Sequence, residues 1–157
     1  NMDTLNQMNE MARGIQLVLG GIGAISLLVA AIGITNTMIM AIYERTREIG
    51  IMKVIGAVIS DIRKMLLLES AFIGFLGGLI GIIFCYGISW VMNTFGAGLA
   101  DGMMGGGYGD AKTYVSIIPF WLSLFALAFS TVIGLLAGYF PAKRAMQLSA
   151  LSAIRTE

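Results

Sequence analysis

Residues 14–43 read GIQLVLGGIGAISLLVAAIGITNTMIMAIY and contain no Asp, Glu, Lys or Arg over 30 residues. A helix needs about 20 mostly apolar residues to cross the hydrocarbon core of a bilayer. Within that core a helix makes all its backbone hydrogen bonds internally. Two further charge-free windows follow at 70–100 and 113–142. Together the windows predict three transmembrane helices, which we place at 15–42, 67–95 and 117–140.

The composition agrees with a membrane protein. Of the 157 residues, 57% are hydrophobic and 12% charged, with a mean hydropathy of +0.85, whereas an ordinary soluble domain carries about 25% charged residues. A soluble chain of this length leaves too much surface wet to bury so many apolar side chains. The net charge of +1 argues against a nucleic-acid partner. The sequence predicts an all-α membrane protein.

Basic residues set the expected orientation. Most of them lie between the first two spans or after the third: Arg45, Arg47, Lys53, Arg63, Lys64, Lys143, Arg144 and Arg155. Only Arg13 and Lys112 lie on the opposite side. The positive-inside rule therefore places the N-terminus of this chain outside and its C-terminus in the cytoplasm. An outside N-terminus predicts at least one further span upstream.

The spans divide the rest of the chain into four segments. Residues 1–14 carry apolar residues at helical spacing and predict a stalk helix that projects outward; an amphipathic terminus lying in the membrane interface is the alternative. Residues 43–66 form a cytoplasmic connector, residues 96–116 a glycine-rich extracytoplasmic loop, and residues 141–157 a cytoplasmic tail.

Small residues four apart predict close helix packing within the membrane. The pairs are Gly20 with Ala24, Gly74 with Gly78, Gly77 with Gly81, and Gly134 with Gly138. Packing within the chain explains most of these pairs, and a dimer face is plausible for one span at most.

Polar residues inside the spans are few, and they do not suggest a conducting pore. No Lys, Arg or Asp lies at the centre of a span, although intramembrane ionisable residues are the usual markers of ion paths. Glu69 is close to the inner end of the second span, where we expect an interfacial ion pair with Lys64 or Arg63. Thr35, Asn36 and Thr37 are expected to hydrogen-bond to a neighbouring helix.

The connector contains the stretch ERTREIGIMKVIGA (44–57), which is charged first and apolar afterwards. Its apolar side chains need burial that a solvated loop does not offer: Ile49, Ile51, Met52, Val54 and Ile55. They predict docking into a groove of a soluble partner, or alternatively a helix resting on lipid headgroups. We expect turns at Gly50 and Gly56 and a helix N-cap at Ser60.

Three stretches carry a family resemblance: NTMIMAIYERTREIGIMKVIGA (36–57), DIRKMLLLESAFIGFLGGLIGI (61–82) and YFPAKRAMQLSALSAIR (139–155). They closely resemble the C-terminal part of MacB/FtsX-like ABC transporter permeases, and the resemblance covers nearly the whole chain. It implies the last three helices of a four-span permease, with an extracytoplasmic domain after the first span and a helical stalk. It also implies a homodimer in the bacterial cell (inner) membrane with two cytoplasmic ATPase copies.

In that family the connector is the coupling helix, which fits a groove on the ATPase. The matching positions are Glu44, Arg45, Thr46, Arg47, Glu48, Ile49, Gly50, Lys53, Gly56 and Ala57, and Ile51 joins them as an apolar residue of the same stretch. ATP and Mg are expected on the partner ATPase, with no cofactor bound by this chain, which lacks GxxxxGK[ST] and is not expected to be an enzyme.

The function that the resemblance implies is mechanotransmission, in which motion of the ATPase pair drives export or efflux of peptides, antibiotics, toxins or lipoproteins. The alternative is an FtsX-like signal transmitter that activates an extracytoplasmic cell-wall hydrolase. The expected partners are the ATPase, a second permease copy and the lipid bilayer. A periplasmic or extracellular adaptor is a further candidate.

Overall fold

The computed structural model describes residues 1–103 and 116–154. It contains the helices α1 (Met2–Glu44), α2 (Thr46–Val54), α3 (Ile59–Met103) and α4 (Phe120–Ile154). These described ranges contain no β-strand, so the all-α prediction is confirmed. Most of the predicted glycine-rich loop, and the last three residues of the predicted tail, lie outside the described residues.

In the part of the chain that the structure describes, three helices are long and apolar enough to cross a membrane: Met2–Glu44, Ile59–Leu99 and Phe120–Ala145. This confirms the predicted number of spans. The 43 residues of α1 extend over about 65 Å at about 1.5 Å per residue, roughly twice the thickness of a hydrocarbon core. Its apolar side chains from Met2 to Ile32 are almost all exposed in the isolated chain, as expected of a surface covered by lipid or protein instead of water.

Two helix boundaries differ from the prediction. The third span was expected from residue 117, but α4 begins at Phe120, because Pro119 acts as its N-cap and accepts hydrogen bonds from the amides of Leu122 (3.1 Å) and Ser123 (3.4 Å). The predicted loop from residue 96 was wrong at its start, because α3 continues to Met103. Glycine lowers helix propensity by about 1 kcal/mol without breaking the helix, and extending an existing helix needs no new nucleus.

The chain forms two compact units, the first made of residues 1–67 and 136–157. It combines α1, α2, the first turns of α3 and the later part of α4. Seven buried hydrophobic residues are found among its described side chains: Met38, Ile49, Ile62, Leu66, Ala137, Ala142 and Ala145. Three of the seven are alanines on α4, which lets neighbouring backbones come close.

The second unit consists of residues 68–135, where α3 and α4 cross at two glycines. A Cβ on Gly74 would lie 2.5 Å from the Ser130 carbonyl oxygen and 3.0 Å from the Gly134 Cα. A Cβ on Gly134 would lie 2.6 Å from the Ser70 carbonyl oxygen and 2.9 Å from the Gly74 Cα. The two environments mirror each other, so each helix needs a glycine at this crossing.

Polar contacts also join α3 to the first turn of α4 and to the residues just before it, within the second unit. The Asn93 amide nitrogen donates to the Ser116 carbonyl, and the Ser116 amide donates to the Asn93 side-chain oxygen, both at 2.9 Å. The Ser89 hydroxyl lies 3.0 Å from the Ser116 hydroxyl, and the hydroxyls of Tyr86 and Ser123 are 2.9 Å apart. These bonds fix the start of the α4 segment against α3.

Candidate functional site: the connector between α1 and α3

The connector begins with a one-residue interruption between two helices. α1 ends at Glu44 and α2 begins at Thr46, while Arg45 has φ −98° and ψ 7°, outside helical values. The Arg45 amide still donates to the Ala41 carbonyl (3.1 Å), and the Ile49 amide donates to the Arg45 carbonyl (3.0 Å). Hydrogen bonding therefore runs almost unbroken from α1 into α2.

A glycine ends α2. Gly56 has a φ of +99°, in the left-handed region that favours glycine. Its amide donates to the Lys53 carbonyl (3.2 Å), and the Ala57 amide donates to the Met52 carbonyl (2.9 Å), which satisfies carbonyls left open at the helix end. The predicted turn at Gly56 is therefore present.

Two local predictions in the connector were wrong. Gly50 lies inside α2 and forms no turn, because a single glycine in a short helix is tolerated when its neighbours pack. Ser60 is not an N-cap, since α3 begins at Ile59 and the Asp61 amide donates to the Val58 carbonyl (2.9 Å).

The two faces of α2 have different surroundings. Ile49 is 3% exposed and belongs to the core of the first unit, whereas Val54 is 88% and Ile55 80% exposed. Ile49 and Ile51 are two residues apart, about 200° around a helix, which separates the buried face from the exposed one. Ile49 therefore anchors α2 to the membrane part, and the opposite face is left for another surface.

We call the exposed large apolar residues of α2, of the turn that follows it and of the start of α3 the α2 patch: Ile51, Val54, Ile55, Val58 and Ile59. Spacings of three and four place the first of them on one side of the helix. The connector around the patch has five basic and three acidic residues over positions 43–66. An apolar patch with a charged rim is typical of an interaction site.

The other predicted coupling residues mostly lie on the surface of the same connector. Glu44, Arg45, Thr46, Arg47 and Glu48 are exposed, as are Gly56 and Ala57. Gly50 and Lys53 are half-buried. The Thr46 hydroxyl lies 2.9 Å from the Ile42 carbonyl oxygen and 3.0 Å from that of Tyr43, so this side chain caps the end of α1.

The predicted ion pair of Glu69 with Lys64 or Arg63 stays a prediction. The Lys64 Nζ lies 3.9 Å from an Asp61 carboxylate oxygen, and both side chains are exposed. Lys64 and Glu69 are five residues apart on α3, which turns their side chains about 140° away from each other. Neighbours on a helix surface are three or four residues apart, as Asp61 and Lys64 are.

The predicted packing residues separate into two groups. Gly74, Gly78 and Gly134 lie in tight contact: a Cβ on Gly78 would meet the Ser130 hydroxyl. Gly138 is buried and Ala24 exposed. A Cβ on Gly20, Gly77 or Gly81 would meet no described residue within 4 Å, so these glycines lie outside the tight contacts.

The three polar residues near the inner end of α1 behave differently from one another. The Thr35 hydroxyl lies 2.9 Å from the Ala137 carbonyl oxygen of α4, which confirms the expected interhelical bond for this residue. The Thr37 hydroxyl instead donates to the Gly33 carbonyl of its own helix (2.9 Å), and Asn36 is exposed.

The amino-acid sequence is similar to a known family and to several of its members. The model of the family described as "FtsX-like permease C-terminal" matches residues 20–150. The chain is 44% identical to the ABC transporter permease YtrF of Bacillus subtilis over 136 residues, which cover 87% of the chain and 31% of the relative. It is 36% identical to an uncharacterized ABC transporter permease of Methanocaldococcus jannaschii over 156 residues, 94% of the chain and 36% of the relative.

A third relative has both activities in its name. The chain is 37% identical to the macrolide export ATP-binding/permease protein MacB of Haemophilus ducreyi over 155 residues, 98% of the chain and 20% of the relative. The chain thus spans about a third or less of the length of these three relatives. With three apolar helices and a family match over most of its length, this multi-pass membrane chain belongs to the FtsX-like permease C-terminal family.

Proposed function

We propose that this chain is the C-terminal membrane part of an ABC transporter permease, and that the α2 patch binds a cytoplasmic ATPase. The observation that carries the proposal is the division of α2 into a buried anchor at Ile49 and an exposed apolar face at Val54 and Ile55. Such a face, on a connector fixed at both ends by helices, suits a groove on a soluble partner. The names of the relatives support an ATP-driven transporter.

The proposed orientation places α2 in the cytoplasm. The connector carries five of the ten basic residues of the chain, and the positive-inside rule assigns it to the cytoplasmic side. Exposed tryptophans lie in the later part of α3 (Trp90) and in the first turn of α4 (Trp121), as expected for an aromatic belt at the outer interface. The N-terminus of this chain then lies outside and the C-terminus inside.

In the proposed mechanism, ATP and Mg are bound by the ATPase, and this chain transmits the resulting motion. A displacement of α2 reaches α1 through a single intervening residue, Arg45, across which hydrogen bonds continue. α1 is one helix of 43 residues, so the motion reaches the outside about 65 Å away. We further propose that two permease copies act together and that the transmitted motion drives export of peptides, antibiotics, toxins or lipoproteins.

Purification of the whole protein with the ATPase encoded beside it tests the proposal. In detergent, an affinity tag on the permease is expected to retain the ATPase, and ATP hydrolysis in lipid vesicles should be several-fold faster with the permease than without it. Matched vesicles with an unrelated multi-pass protein serve as the control. An ATPase that neither binds nor responds to the permease would overturn the proposal.

A further inference from the structure

Pro141 opens a gap in the hydrogen bonding of α4. The helix continues through this proline, which has no backbone N–H to donate to the carbonyl four residues earlier, that of Ala137. Ala137 is 7% exposed and Pro141 is buried, so water cannot easily take the place of the missing donor. A buried carbonyl without a partner is unfavourable, and membrane helices tolerate proline when a neighbour supplies one.

The Thr35 hydroxyl of α1 is positioned to supply that donor. It lies 2.9 Å from the Ala137 carbonyl oxygen and also 2.9 Å from the Ala31 carbonyl oxygen in its own helix. The Ala31 carbonyl accepts the Thr35 backbone amide as a normal helical bond, so it already has a donor. A hydrogen bond from the single hydroxyl proton therefore stabilises the protein more at the Ala137 carbonyl, because the proline has removed the backbone donor of that carbonyl.

From this geometry we propose that Thr35 and Pro141 act as one device, a hydroxyl clasp that joins the inner part of α1 to α4. The clasp lies beside the most deeply buried residues of the first unit, Met38 and Ala142. Thr35 also acts as a positioning residue, because it holds α1 against α4. Movement at the end of α1 that joins α2 then passes into the long outer part of the same helix. The positioning role rests on the proposed function, whereas the hydroxyl clasp itself does not.

Thr37 provides a matched control on the same helix. Among the described residues, its hydroxyl donates to the Gly33 carbonyl of the same helix at 2.9 Å, and the residue is exposed. Replacement of either threonine by valine keeps the shape of the side chain and removes the hydroxyl. If every threonine of α1 were equivalent, Thr35→Val and Thr37→Val would have the same effect.

The test is a double-mutant cycle on the thermal stability of the whole protein in lipid nanodiscs. Thr35→Val is expected to lower the Tm by about 1–4 °C, while Thr35→Ser and Thr37→Val leave it nearly unchanged. Pro141→Ala restores a backbone donor for Ala137, so Thr35→Val should lower the Tm much less in that background. An equal loss with Pro141 and with Ala at this position, or an equal loss for Thr37→Val, would overturn the clasp.

ATP hydrolysis tests the positioning role separately. Thr35→Val is expected to reduce permease-stimulated ATP turnover several-fold without reducing the amount of ATPase captured, and Thr35→Ser is expected to restore it. Full turnover in a Thr35→Val protein that shows the thermal effect would overturn the positioning role. If no ATPase is captured by the wild type, the proposed function fails, and the thermal cycle still decides on the clasp because it uses no partner.

Discussion

Gly134→Ala is expected to destabilise the protein by about 1–3 kcal/mol, which is the usual range for adding a methyl group to a filled site. The new Cβ would lie 2.6 Å from the Ser70 carbonyl oxygen and 2.9 Å from the Gly74 Cα. These are backbone atoms of α3, so no side-chain rotation relieves the contact, and the two helices have to separate. Gly74→Ala is expected to act alike through the Ser130 carbonyl. The free energy of unfolding, or the Tm in nanodiscs, measures both.

Gly77 and Gly81 are the matched controls, because they lie on α3 like Gly74 and a Cβ on either would meet no described residue within 4 Å. Gly77→Ala and Gly81→Ala are expected to change the stability by no more than about 0.5 kcal/mol, as for other substitutions away from packed sites. Equal losses at Gly77 and Gly134 would contradict the α3–α4 crossing described above.

Val54→Asp and Ile55→Asp are expected to abolish capture of the ATPase while the permease stays folded. Both side chains are largely exposed, so an aspartate there remains hydrated and costs the fold little. In a complex with an apolar groove, the same carboxylate would lose its water. Hot-spot losses of about 2 kcal/mol or more correspond to roughly 30-fold weaker binding, enough to lose a partner during washing.

Ile49→Asp is expected to give a different result, because it places a carboxylate in the core of the first unit and lowers the Tm together with ATPase capture. Leu5→Asp, at an exposed apolar position near the other end of α1, controls for the added charge and should retain capture. If Val54→Asp and Ile55→Asp kept the ATPase, the α2 patch would be a surface for lipid headgroups.

The spans could be predicted from the sequence because exclusion of charge from a bilayer is a strong and local constraint. The extension of α3 through residues 96–103 could not be predicted, because the composition of this glycine- and alanine-rich segment fits a helix and a loop equally well. The burial of Ile49 and exposure of Val54 also required the structure. Ile49, Ile51 and Val54 are all apolar, and only the packing of the first unit decides which of them is covered.

The glycine pairs illustrate the same limit. Gly74 with Gly78 and Gly77 with Gly81 have identical spacing, and the sequence treats them alike. One usable signal was present: the pattern Ser-x3-Gly-x3-Gly occurs at 70–78 and again at 130–138. The hydrogen bond between the Thr35 hydroxyl and the Ala137 carbonyl could not be predicted either, because Pro141 and Thr35 belong to different helices.

Photocrosslinking from the α2 patch tests the central claim most directly. A photoactivatable amino acid is placed at Ile55, or at Leu5 as the control, and membranes that contain the whole protein and its ATPase are illuminated. We predict that position 55 crosslinks to the ATPase and that position 5 does not. Crosslinking of position 55 to lipid alone, with the ATPase present and active, would contradict the assignment of this connector as the coupling surface.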